Sequence, residues 1–380
     1  MRLGGYNGIF KLLNVSNVNR AICLMLFETL FVVLYSSYMT QHVYRVRPLE
    51  IGAEKNIIAD ILFIVSLFFG ICIYIFKRGF FSGFVTIFQL DKIRFVETDE
   101  KVLGPFFTVF SVLFPLTYIF CSLYLLNRIN RMKNNLARSW LNLAIVCIPL
   151  LFMNGGDAFT LICMASLAIT SFRMGGVSER QLYIVGGTLF LVVVLLLFWL
   201  INDGYYKGIF NVLSINLQAY FPGAGNFAGY FNIGEHGKLS SLFYDVYFAI
   251  PFRNTLFGIQ GDNRLVMLYT KDNNAGSQII PCFIQLFYYV GFLAPLFELI
   301  IIKYAFKCYK SFLIRDNVYS CFLNVITWIY LVLTPVMYNF TILMTRVLST
   351  IIYLYVISRI LSNNKGARFY NVTDRVYEKT

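Results

Sequence analysis

The chain has 380 residues, of which 58% are hydrophobic and only 13% charged, with a mean hydropathy of +0.67. Soluble domains carry about 25% charged residues because their surface faces water. About half of that charge is missing here, so lipid is expected to replace water over much of the exterior. The net charge of +13 would point to nucleic acid in a soluble protein. In so apolar a chain it reads instead as Lys and Arg gathered on cytoplasmic loops, and no nucleic-acid partner is expected.

Residues 1–20 lack the early apolar core and small-residue cleavage site of a secretory signal, so the first apolar run is read as an anchor. A bilayer-spanning helix needs roughly 20 apolar residues. On that criterion spans are predicted near 21–40, 57–76, 103–126, 182–201, 280–302, 318–338 and 340–360. The long apolar stretch 140–172 is interrupted by Asn154-Gly155-Gly156-Asp157, a turn signal, and predicts a hairpin of two short helices. That gives nine spans. The short apolar run 79–90 is a candidate tenth passage. It would put both basic termini on the same side.

The loops set the orientation. Segment 127–139 carries four basic residues and no acid, and segment 303–317 carries Lys303, Lys307, Lys310 and Arg315 against Asp316. With 173–181 and the tail 361–380 these are predicted to be cytoplasmic. Segment 203–279 differs: five acids balance five bases, so it is predicted to be a long external loop. The expected organisation is therefore residues 1–202 as N-terminal membrane helices including the hairpin 140–172, then the loop 203–279, membrane helices over 280–360, and a cytoplasmic tail over 361–380.

No phosphate-cradling glycine loop, HExxH or CxxC motif is present, and the eight cysteines fit no metal spacing. Phe221-Pro222-Gly223-Ala224-Gly225-Asn226 reads as a turn. The external loop is rich in aromatic residues, including Tyr205-Tyr206, Tyr230-Phe231 and Tyr247-Phe248. Disordered segments contain few aromatics, so this loop is expected to fold against the membrane face, with 239–252 as an interfacial helix. The rings could stack on sugars or simply anchor at the interface.

Charges at membrane depth are costly and point to function. Arg346 lies in the last span. It is read as a contact to an anionic group such as phosphate, with an internal pair to Asp157 as the alternative. Arg253 and Arg264 in the loop offer the planar fork that matches phosphate oxygens. His236 is one of two histidines, and Asp245 sits among aromatics. Either could take a proton near neutral pH, and either could be an inert loop residue.

The hairpin, the following span, the long loop and the last three spans resemble the C-terminal two-thirds of Wzy-type oligosaccharide repeat-unit polymerases. The residues that carry the likeness are Ser277-Gln278-Ile279-Ile280-Pro281, Gln285, Tyr288-Tyr289-Val290-Gly291 and Leu293-Ala294-Pro295-Leu296. Ser241-Leu242-Phe243-Tyr244-Asp245 with Ile250-Pro251-Phe252 adds to it. The likeness covers residues 100–360. Many members carry an Arg in the hairpin turn, where this chain has Gly155-Gly156-Asp157.

The resemblance implies an all-α, polytopic, GT-C-like glycosyltransferase of the bacterial inner membrane, with nine to ten spans and a long periplasmic loop. Its implied substrate is an undecaprenyl-diphosphate-linked oligosaccharide, polymerised into O-antigen or capsule at the outer face without cofactor or metal. A chain-length regulator protein is an implied partner beside the lipid bilayer. Arg253, Arg264 and Arg346 would meet the departing diphosphate, and His236 or Asp245 would take the acceptor's proton. The alternatives are an O-antigen ligase, a lipid-glycan flippase or transporter, and a non-catalytic scaffold.

Overall fold

A computed structural model describes residues 15–43, 57–76, 106–132, 134–149, 158–175, 179–202, 208, 224–231, 233, 237–250, 280–335 and 339–362. Every regular element among them is helical. The apolar runs leave no side chains able to satisfy a sheet edge in lipid, and a helix closes all its backbone hydrogen bonds internally.

The helices are α1 (Val15–Val43), α2 (Ile57–Phe76), α3 (Phe106–Ile129), α4 (Asn135–Val146), α5 (Ala158–Arg173) and α6 (Glu179–Asn202). The loop contributes α7 (Ala224–Tyr230) and α8 (Leu239–Phe248). Then come α9 (Cys282–Val290), a 3-10 turn at Gly291–Leu293, and α10 (Ala294–Ile314). The chain continues with α11 (Val318–Leu333), α12 (Phe340–Arg346), a π turn at Val347–Ile351 and α13 (Ile352–Ser362). Ser16–Gln41, Cys282–Ile314 and Phe340–Leu361 are long and apolar enough to cross a membrane, and shorter apolar helices accompany them at Ile57–Ile71, Leu136–Val146, Phe159–Arg173 and Val318–Leu333.

Asparagines start several of these helices. The Asn134 side chain accepts the Leu136 and Ala137 amides at 3.1 and 3.2 Å, Asn317 accepts those of Tyr319 and Ser320 at 2.9 and 3.3 Å, and Asn339 accepts that of Ile342 at 2.8 Å. Each satisfies amides that a helix start leaves without intrahelical partners. At the other end of α10, Arg173 donates to the carbonyls of Leu313 and Arg315 at 2.7 and 2.8 Å and lies 4.7 Å over the Phe312 ring. It ties α5 to the C-terminus of α10 through the carbonyls a helix end leaves open.

Two large groups of side chains form most of the interior, with a third, smaller one of Phe312, Cys321 and Val325 between α10 and α11. One gathers α2, α3, α4, α5, α11, α12 and α13 around Ile119, Leu123, Phe159, Leu167, Phe322 and Tyr330. The other gathers α1, α7, α8, α9 and the start of α10 around Phe227, Tyr230, Leu242 and the nearly continuous buried run of α9. Helices α10 and α11 pack together and join them. Outside, Leu26, Leu30 and Leu34 on α1 and Ile57, Ile61, Ile64 and Phe68 on α2 are exposed. Apolar stripes of this extent suit a hydrocarbon surround.

The structure departs from the sequence expectations at three places. Segment 303–317, expected as a loop, is helical through Ile314. The apolar span ends near Ile302, but Lys and Phe remain compatible with a helix, so the helix outlasts the span. The span expected over 318–338 is helical only to Leu333, because Pro335 has no N–H to donate to the Leu331 carbonyl and continue the helix. The expected turn at 221–226 instead gives way to α7 from Ala224. Burial of Phe227, Ala228 and Tyr230 against α1 and α9 outweighs the weak helix propensity of its glycines. The run 79–90, the hairpin tip at 154–157 and the tail beyond residue 362 lie outside the described residues.

Candidate active site

Helix α8 packs on α9 and α12 and turns Asp245 inward, where it is 1% exposed. Gln285 and Tyr289 stand four residues apart on α9, on the same helix face. Both donate to Asp245 Oδ2, from Gln285 Nε2 at 2.6 Å and from the Tyr289 hydroxyl at 2.7 Å. The Gln285 side chain also reaches Thr341 Oγ1 at 3.3 Å, and its Oε1 accepts the Phe340 backbone N–H at 2.7 Å. One amide thus ties the loop helix to the first turn of α12.

Asp245 Oδ1 is also buried, and no donor reaches it among the described residues. Burial pushes the carboxyl's pKa upward, and the bonds from Tyr289 and Gln285 pull partly the other way. A carboxylate deprived of water is a stronger base than a solvated one. Among the described residues nothing occupies its second oxygen, which could receive a proton.

Arg346 closes α12. It lies five residues beyond Thr341, which is about 7.5 Å of helix rise. Its guanidinium sits 4.5 Å over the ring of Phe159, in the first turn of α5, and Phe159 stacks on Tyr330. Among the described residues the ion pair is Arg128–Asp60, and Arg346 forms none there. The π turn that follows it is a feature often found at functional sites.

Gly237 fixes the chain beside α9. Its N–H donates to the Tyr288 carbonyl at 3.0 Å. A Cβ there would stand 2.7 Å from Tyr289 Cδ1 and would also meet the Tyr288 ring.

The structure therefore places two of the sequence candidates, Asp245 and Arg346, on two helices that pack together, α8 and α12. His236, Arg253 and Arg264 lie outside the described residues, as does Asp157, the alternative partner of Arg346. Sequence reading did not assign Gln285, Tyr289 or Thr341 to the site. A lone glutamine in the apolar run CFIQLFYYV was the available signal, since a buried amide demands partners. Among the described residues no three His, Cys, Asp or Glu side chains gather in a metal-binding arrangement. Comparison with protein families, characterised proteins and solved structures returns no match.

Proposed function

We propose that the chain is a lipid-linked oligosaccharide polymerase of the bacterial inner membrane, with nine to ten membrane passages and the 203–279 loop outside. It joins undecaprenyl-diphosphate-linked repeat units into O-antigen or capsular polysaccharide. The observation that carries this reading is a buried carboxyl on α8, Asp245, one of whose oxygens meets no donor among the described residues, on a helix that packs against the short helix α12 ended by Arg346, which forms no ion pair among them.

The transfer needs both. The acceptor hydroxyl loses its proton to Asp245 Oδ1 as its oxygen bonds to the anomeric carbon of the growing glycan. The bond from that carbon to the diphosphate oxygen breaks, and the electron pair leaves with the lipid diphosphate. Arg346 stabilises the charge developing on that leaving group, with Arg253 and Arg264 as further cations from the loop. Gln285 and Tyr289 hold the base in position.

Deleting the gene and resolving surface polysaccharide on a gel tests this reading. The expected result is collapse of a ladder to single repeat units. An unchanged ladder would overturn it. Polymer left on its lipid carrier would assign the chain to ligation instead.

A further inference from the structure

Two carboxyl groups meet inside the helix bundle, away from the Asp245 site. Glu28 is at the middle of the apolar span Ser16–Gln41, and Glu298 is the middle residue of Cys282–Ile314. Helices α1 and α10 pack together there, which brings the two carboxyl groups close enough to interact. Glu298 is 0% exposed, and neither of its oxygens receives a hydrogen bond from a protein donor among the described residues. Glu28 is half-buried.

Among the described residues no basic side chain forms an ion pair with the two carboxyls. The Lys and Arg residues of these two helices are Arg20 on α1 and Lys303, Lys307 and Lys310 on α10, with His42 near the far end of α1. Helix α9 brings the fully buried Cys282 beside them, α7 contributes Tyr230 as its titratable group, and α11 contributes only tyrosines and Cys321. A carboxylate oxygen has no hydrogen of its own to donate. Close approach of two carboxyl groups is therefore favourable only where one of them holds a proton to share. Two bare carboxylates in contact at membrane depth would combine like-charge repulsion with the cost of burying charge.

We propose that Glu28 and Glu298 form a proton-binding site within the helix bundle, which holds one shared proton and fastens α1 to α10. The site stands apart from the proposed polymerase chemistry and does not depend on it. The fastening matters because α1 has Ala21 as its buried hydrophobic residue while Leu26, Leu30 and Leu34 face outward. The carboxyl pair is the polar contact that selects its docking position on α10. Loss of the proton leaves two like charges facing one another and drives the helices apart.

Infrared spectroscopy of the full chain in lipid nanodiscs at neutral pH tests the proposal. Subtracting the spectrum of Glu298→Gln, and separately of Glu28→Gln, cancels every other carboxyl, Asp245 included. The expected result is a positive carboxylic-acid carbonyl band, sensitive to deuterium, in both differences. A flat carbonyl region in both would overturn the proposal, as would carboxylate bands that shift on exchanging sodium for a larger cation. Should Glu298→Gln fail to fold, Glu28→Gln carries the same test. Thermal stability is a second readout. The parent should lose stability as pH rises, because deprotonation creates the repulsion, and the double glutamine variant should lack that loss. Parallel pH curves for the two proteins would also overturn it.

Discussion

Gln285 Nε2 donates to Asp245 Oδ2 at 2.6 Å, while the oxygen of the same amide accepts the Phe340 N–H at 2.7 Å. The loop helix α8 and the start of α12 are therefore registered through one side chain. Gln285→Ala removes both bonds and leaves a buried carboxylate oxygen short of a donor. Hydrogen bonds to charged groups are worth roughly 1.5–3 kcal/mol. The variant should retain its helical circular dichroism, lose about that much stability and make shorter polysaccharide. Gln285→Glu places a second carboxyl against Asp245 and should be worse than alanine. Equal ladders from parent and both variants would remove Gln285 from the site.

Asp245→Asn keeps the shape of the side chain but deletes the base. Positioned proton transfer typically contributes about 10²–10⁴-fold in rate, so polymer synthesis should fall by at least about 100-fold at normal membrane expression. Near-parent synthesis would leave Asp245 as a packing residue.

The hydroxyl of Tyr289 pulls the Asp245 carboxyl downward against the upward push of burial. Tyr289→Phe removes that pull, so Asp245 holds its proton to higher pH. A base must be ionised to act, and the acidic limb of the pH–activity profile should therefore move toward neutral pH in this variant. The same direction is expected of Gly237→Ala, whose added Cβ meets the rings of Tyr288 and Tyr289. Overpacking of this kind costs about 1–3 kcal/mol. An unshifted acidic limb in Tyr289→Phe would contradict the assignment of Asp245 as the base.

Arg346 is read through a charge-conserving change. Lysine keeps the charge but lacks the planar fork that meets two phosphate oxygens. Arg346→Lys should retain weak synthesis and Arg346→Ala should abolish it. Phe159→Leu withdraws the ring under the guanidinium, a contact worth about 0.5–2 kcal/mol, and should lower synthesis while leaving the diphosphate contact in place. Equal loss in the lysine and alanine variants would show that the fork, rather than charge alone, is indispensable. Full activity in Arg346→Ala would exclude the residue.

Much of the helix layout was legible because span length is set by hydrocarbon thickness. Residues 57–76 match α2, and the expected 182–201 and 340–360 differ from the observed helices by only a few residues. Helix ends were less legible where the chain leaves the apolar run, as at Lys303–Ile314, since a helix can continue on propensity after hydrophobicity stops. Asp245 was legible as a carboxyl among aromatics. Its partners were not, because sequence places Gln285 and Tyr289 forty or more residues away and only the packing of α8 on α9 joins them. Glu28 and Glu298 each stand out as a carboxyl within an apolar run, but their meeting depends on which helices are neighbours, and periodicity does not encode that.

Orientation is tested by chemistry from outside. A single cysteine placed within 203–279, in a background without the native cysteines, should react with a membrane-impermeant thiol reagent in intact cells. Labelling only after the cells are broken would put the loop inside, where no outward-facing lipid-linked glycan could reach Asp245.

The most direct measurement uses the purified full-length chain in liposomes, supplied with lipid-linked single repeat units extracted from cells that lack it. The expected products are glycans of two or more units on the lipid carrier, with one undecaprenyl diphosphate released per bond formed and no product from Asp245→Asn. Recovery of the single units unchanged, from parent protein that is folded and correctly inserted, would contradict the polymerase assignment.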